Sequence, residues 1–171
     1  MIISENMFTV RGLTYRIRSA ALADAKPLSA LRLKIDGETE YLDREPGEAF
    51  LDEKGFAALI QEDSKESRHL FLVADIEGEI VGFSRCEGHS LKRFAHKVTF
   101  GVAVQKAAWG YHIGKELLAA SIKWAGSGRP PNRLHDIAPD HRKCTIHKQK
   151  SHDELERPLI KIQKTLEYRA K

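Results

Sequence analysis

The ten residues Gln105-Lys106-Ala107-Ala108-Trp109-Gly110-Tyr111-His112-Ile113-Gly114 set a glycine-bearing turn directly ahead of a helical stretch. The first turn of a helix carries amide N–H groups with no intrahelical partner, and the helix dipole adds partial positive charge there. Small residues let the backbone approach a ligand closely. Together these form an anion cradle, and at about 1.5 to 3 kcal/mol for each N–H to a charged oxygen, a few such bonds hold a pyrophosphate. Spacing alone is equally well explained by a strand-to-helix turn without a ligand. The segment is neither a P-loop nor a dinucleotide fingerprint, because no Gly-Lys-Ser/Thr closes it and its glycines do not follow G-x-G-x-x-G. A second place for chemistry is the acidic loop from Glu38 to Glu48, whose carboxylates suit a cationic substrate.

These residues need elements to position them. Tyr15-Arg16-Ile17-Arg18 alternates with the strand period, and Asp24 is expected to cap a helix with Leu28, Leu31 and Ile35 on one face, Pro27 in its first turn and Gly37 at its end. Asp52 ahead of Phe56, Leu59 and Ile60 predicts a second short helix. The β-rich runs His69 to Ile76 and Glu79 to Phe83, joined by Glu77-Gly78, predict a hairpin. Val98 to Val104 predicts a strand running into the glycine turn. Gly114 then opens a helix with Leu117, Leu118, Ser121, Ile122 and Ala125 on one face.

From Tyr15 to Ala125, this order of strand, helix, helix, hairpin, strand, glycine turn and helix resembles the GNAT superfamily of acetyl-CoA-dependent N-acetyltransferases. The resemblance implies an α+β fold, a mixed and mostly antiparallel twisted sheet flanked by helices. Phe100 to Val104 is similar to the family's splayed central strand, whose backbone pairs with the pantetheine arm of CoA. Trp109 to Gly114 is similar to its Arg/Gln-x-x-Gly-x-Gly/Ala loop, whose N–H groups hold the pyrophosphate. The residues so implied for acetyl-CoA are Val102, Ala103, Val104, Trp109, Gly110, Tyr111, His112, Ile113, Gly114 and Lys115. Trp109 stands where Arg or Gln is usual, which costs little where the backbone makes the contacts. His112 stands where glycine is expected, so its Cβ would crowd the phosphates or demand an unfavourable backbone angle. A protonated His112 would instead pair with phosphate.

Acetyl transfer needs a neutral amine, and a lysine-like amine near pKa 10.4 is less than about 0.1% deprotonated at pH 7. A base or a water relay must take the proton, and a donor such as a backbone N–H on the central strand must meet the developing oxyanion. The family often places a carboxylate on that strand, where this chain has Thr99. The nearest substitutes are His96, just before the strand, and Glu40, in the acidic loop; each also reads as a plain surface residue. Neither Cys86 nor Cys144 lies in a nucleophile motif, which favours direct transfer over an acyl-enzyme. The resemblance therefore implies an N-acetyltransferase for a primary amine of a small molecule or peptide, with Glu38, Glu40 and Asp43 attracting the amine. The alternative is an acyl-CoA-binding or interaction protein with little or no turnover.

Charge and composition divide the 171 residues. The formal net charge is +4, yet residues 1–126 hold 17 basic and 18 acidic side chains, whereas residues 127–171 hold 11 and 6. Apolar residues fall from 48% in the first segment to 27% in the second. An acyl-CoA-binding core over 1–126 and an atypical basic segment over 127–171 are expected. The strand, the helix with its Asn and Tyr, and the final hairpin that complete the family fold are not legible past Gly126, so the C-terminal strands are expected to be missing or altered. Leu155, Leu159, Ile162 and Leu166 have helical spacing, interrupted by Pro158. His141, Cys144, His147 and His152 match no common zinc spacing, so no metal is expected. A basic tail without a motif or interleaved aromatics argues against nucleic acid. An end altered by a frameshift or recombination after about Ala125 is a further reading. No apolar run spans a membrane and no signal-peptide order opens the sequence, so a cytosolic protein without membrane contact is expected. An unfinished sheet would expose an edge strand that invites a homodimer.

Overall fold

The computed structural model describes residues 3–38, 47–91, 97–126 and 164–167. Among these, the strands β1 (Asn6–Val10), β2 (Leu13–Ser19), β3 (His69–Ile76), β4 (Glu79–Gly88), β5 (Lys97–Val104) and β6 (Lys164–Glu167) form one sheet in chain order. Each pair is antiparallel. Helices α1 (Ala25–Glu38) and α2 (Glu53–Lys65) fill the connection from β2 to β3, and α3 (Ile113–Gly126) follows β5. This is the α+β sheet flanked by helices that the resemblance implies.

Two tight turns build the first half of the sheet. Arg11-Gly12 and Glu77-Gly78 take φ values of +52 and +81, and of +49 and +94. Paired left-handed residues are what a two-residue hairpin needs to match strand twist, and a glycine takes the second place in both. The predicted hairpin is thus β3 and β4.

β3 is buried on both faces, which explains its unbroken apolar run. Leu70, Leu72 and Ala74 join Tyr15, Ile17, Cys86 and Phe100 in a core closed by Ile113 and Leu117 of α3. Phe71 and Val73 face the opposite way, onto Leu28, Leu31 and Ile35 of α1 and Phe56 and Ile60 of α2. Phe56, Phe71 and Phe83 pack there with ring centroids 6.1 to 6.4 Å apart. At about 2 kcal/mol for each fully buried large apolar side chain, these two cores carry the fold.

Three local expectations meet corrections, and one strand was not foreseen. Asp24 does not cap α1; it closes a 3-10 turn, Leu22–Asp24, because its carboxylate is taken by Arg18 at 2.6 and 2.9 Å and by the Ala21 N–H at 2.7 Å. α1 runs through Gly37 to Glu38, whose carboxylate has a tertiary partner that holds the last turn. β1 was not legible, since Met7 is apolar yet 63% exposed and breaks the strand alternation. Leu166 lies in β6 opposite Val98 rather than in a helix, its segment pairing with the edge of β5. Asp52 does cap α2, accepting from the Gly55 N–H at 2.7 Å.

Candidate active site

The turn between β5 and α3 is held from three sides. β5 ends where Gln105 donates its N–H to the Val81 carbonyl at 2.9 Å. A 3-10 turn, Lys106–Ala108, follows. The Glu38 carboxylate accepts from the Lys106 N–H at 2.6 Å, and the Lys34 ammonium donates to the Gln105 side-chain oxygen at 2.9 Å, so α1 grips the turn twice. The Trp109 indole N–H reaches back to the Val104 carbonyl at 2.8 Å.

Beyond Trp109 the chain makes two left-handed steps, Gly110 at φ +82 and His112 at φ +63. The second is the unfavourable angle expected for a side chain standing where the family loop has glycine. The His112 carbonyl accepts the first helical bond, from the Glu116 N–H at 3.0 Å, and Ile113 is buried in the core, which fixes where α3 begins. No described residue accepts from the N–H groups of Gly110, Tyr111, His112, Ile113, Gly114 or Lys115. The last three belong to the open first turn of a 14-residue helix. This arrangement can hold an anion.

The edge of β5 supplies the second half of the geometry. Antiparallel pairs alternate between residues that exchange hydrogen bonds with the neighbour and residues whose polar groups point away from it. Gln105 bonds inward to Val81, and the β4 to β5 register is regular from Gly82 opposite Val104 to Gly88 opposite Val98. The alternation therefore turns Ala103 inward and turns the backbone N–H groups of Val102 and Val104 outward. β6 covers only Lys97 to Phe100, so no described strand pairs with this outer edge from Gly101 onward.

Sequence reasoning missed Arg11. A methyl group placed on Gly110 would lie 3.7 Å from the Arg11 Nη1, which sets this guanidinium at the rim of the row of free amides. The signal present in the sequence was the turn dipeptide Arg11-Gly12, but without β1 nothing tied it to the glycine turn. Val102, Ala103, Val104 and the run from Trp109 to Lys115 lie together at the end of β5 and the start of α3. Lys115 is exposed, with its ammonium 3.8 Å from the Glu116 carboxylate. Glu40, Asp43, His96 and the tail residues His141, Cys144, His147, His152 and Tyr168 lie outside the described residues. Cys86 is buried and its thiol is pushed up to about 11 by burial, so it offers no thiolate near neutral pH. No helix among the described residues is long and apolar enough to cross a membrane.

Residues 35–143 match the model of the acetyltransferase (GNAT) family, and the chain belongs to that family. The match runs past residue 126, where the composition changes. Among solved structures the chain is similar to an acetyltransferase of the GNAT family from Streptococcus pneumoniae, 23% identical over 65% of this chain and 66% of that one, with a TM-score of 0.62. It is also similar to the ribosomal-protein-alanine N-acetyltransferase from Brucella melitensis, 27% identical over 64% and 65%, with a TM-score of 0.55. A third likeness is to yncA from Salmonella typhimurium, whose structure holds its cofactor acetyl-CoA, 23% identical over 65% and 62%, with a TM-score of 0.55. The chain spans a little under two thirds of the length of each of these structures. No curated protein matches it.

Proposed function

We propose that this chain transfers an acetyl group from acetyl-CoA directly to a primary amine of a small molecule or peptide. The observation that carries the proposal is the row of unclaimed amides from Gly110 to Lys115, set beside the outward N–H groups of Val102 and Val104. Pyrophosphate would accept from the first set, with Arg11 adding charge at the rim. The amide groups of pantetheine would pair with Val102 and Val104, as a further strand pairs with a sheet edge. That places the thioester along β5, beside the pantetheine-binding edge. The bound acetyl-CoA of yncA and the alanine N-acetyltransferase activity in the name of the Brucella structure support donor and acceptor class. Direct transfer is supported by Cys86, a thiol too buried and too weakly acidic to carry the acetyl group. The basic excess of 127–171 does not enter this reading, which rests on the core expected over 1–126.

Calorimetry with acetyl-CoA and a thiol-release assay over a panel of primary amines test this. Binding together with release in the presence of an amine is the expected result. Binding without release across the panel would make the chain an acyl-CoA-binding protein, and no binding would overturn the assignment.

A further inference from the structure

A cavity of about 520 Å³ opens on the α2 face of the sheet, away from the turn that cradles the anion. His69, Glu87 and Thr99 form its floor. They are cross-strand neighbours in one row, His69 opposite Glu87 and Glu87 opposite Thr99, so their side chains share one face. Thr99 stands three residues, about 10 Å, before Val102 on β5. The facing wall carries Glu62 of α2 and Glu66, the residue that follows the helix.

His69 is held in a defined orientation. Its Nδ1 lies 2.8 Å from the Asp63 carboxylate, which is 2% exposed. The same carboxylate receives Arg85 in a two-pronged bond, Nε at 2.7 Å and Nη2 at 2.8 Å, which locks its orientation. An ionised carboxylate can only accept, so Nδ1 turns its hydrogen to Asp63 and Nε2 is the ring nitrogen left for anything in the cavity. That is the orientation a base needs, with a carboxylate selecting the tautomer. The Arg85 Nη1 also bonds Glu87 at 2.9 Å, so the row is one connected network.

We infer that this cavity receives the acceptor, a cationic primary amine, and that His69 Nε2 takes its proton. The inference rests on the acetyltransferase reading above and adds to it the acceptor site and the base. Glu62, Glu66 and Glu87 draw in the ammonium, and among the described residues the cavity lining holds one arginine, Arg68, and no lysine. The ammonium gives one proton to His69 Nε2. The neutral amine then attacks the thioester carbon at the edge of β5, the C–N bond forms, and the C–S bond breaks with its electron pair leaving on sulfur. The second N–H proton passes to the thiolate, giving free CoA, and His69 returns its proton to solvent. Among the described residues, the charged groups facing His69 during this cycle are Asp63 and Glu62 from α2, Glu66 just after it, Arg85 and Glu87 from β4, and Arg68 and His89 at the strand ends.

The test compares two acceptors, an alkylamine that is charged at pH 7 and an arylhydrazine that is mostly neutral there, on the whole chain. His69→Asn keeps a side-chain donor for Asp63 and removes Nε2. Its expected effect is a fall in kcat/KM of about 100-fold or more for the alkylamine, less than about threefold for the hydrazine, and an unchanged Kd for acetyl-CoA. Glu87→Gln, which leaves the imidazole in place, should raise KM for the alkylamine alone. An equal loss on both acceptors, or no loss on either, overturns the role of His69 while leaving the acetyltransferase reading intact. A wild-type chain that fails to bind acetyl-CoA overturns both.

Discussion

The Trp109 indole N–H donates to the Val104 carbonyl at 2.8 Å, so Trp109 ties the last residue of β5 to the turn that follows it. The bond makes the turn a rigid link between the β5 edge and the free amides. Trp109→Phe keeps most of the ring and removes the donor. The expected loss is about 1 kcal/mol of stability, read as a Tm fall of about 3 °C, with acetyl-CoA binding weakened several-fold. A lower Tm with unchanged affinity would show that the amides keep their aim without the indole.

His112 pays for its side chain with a left-handed backbone at φ +63. The αL penalty for a residue with a Cβ is roughly 1 to 2 kcal/mol, and glycine gives back about 0.5 to 1 through the freedom of its unfolded chain. His112→Gly is therefore expected to stabilise the fold by up to about 1.5 kcal/mol, seen as a raised Tm. Affinity for acetyl-CoA should stay the same or tighten as the Cβ leaves the cradle. An affinity loss that grows as the pH is lowered would show instead that the imidazolium pairs with phosphate.

Most of the fold was legible where periodicity and turn chemistry agreed. His69 to Ile76 with Glu77-Gly78 reads as a strand entering a tight turn, and of the helical face predicted for α3 Leu117 and Ser121 are buried, whereas Ile122 and Ala125 are exposed because the buried stripe runs through Ile113, Leu117 and Ser121. Asp24 misled because a carboxylate beside a helix start reads as a cap, while its real partner, Arg18, is set by how β2 returns to the turn. The cradle was legible because it is local: strand, turn and helix are contiguous from Phe100 to Gly126. Arg11 and the Asp63 to His69 pair were not, because each becomes visible only once the sheet has brought separate segments together. Arg11 is 99 residues from Gly110, and Asp63 finds His69 through the exit of α2 into β3.

Arg11 lies at the rim of the cradle on an exposed turn. Its removal should therefore separate binding from stability. Arg11→Ala is expected to weaken acetyl-CoA about tenfold while moving stability by less than about 0.5 kcal/mol. Arg11→Lys should lie between the two, keeping the charge and losing the planar fork. The gap between wild type and Arg11→Ala should narrow as salt is raised, because the contact is an exposed charge on a phosphate. Equal affinities at low salt would remove Arg11 from the site.

Asp75 gives the fold an acid limit whose sign can be worked out. It is 2% exposed at the end of β3, with the Arg16 guanidinium at 3.0 Å, that of Arg18 at 3.4 Å and the Gly78 N–H at 2.9 Å. Burial pushes its carboxyl up, but the hydrogen bonds from Arg16 and Gly78 and the charges of Arg16 and Arg18 outweigh burial and hold it below the ordinary 3.8. A group with a lower pKa folded than unfolded stabilises the fold above its unfolded value, and that contribution drains as the pH falls through 3.8 toward the folded value. Asp75→Asn should therefore lower Tm by several degrees at pH 7, and the gap to wild type should close as the pH drops below 3.8. Other carboxylates destabilise both chains in acid, so the difference between the two melting curves is the quantity to follow. A gap that stays constant from neutral pH into strong acid would mean that the Asp75 hydrogen-bonding shape, and not its charge, is what holds β2 to the end of β3.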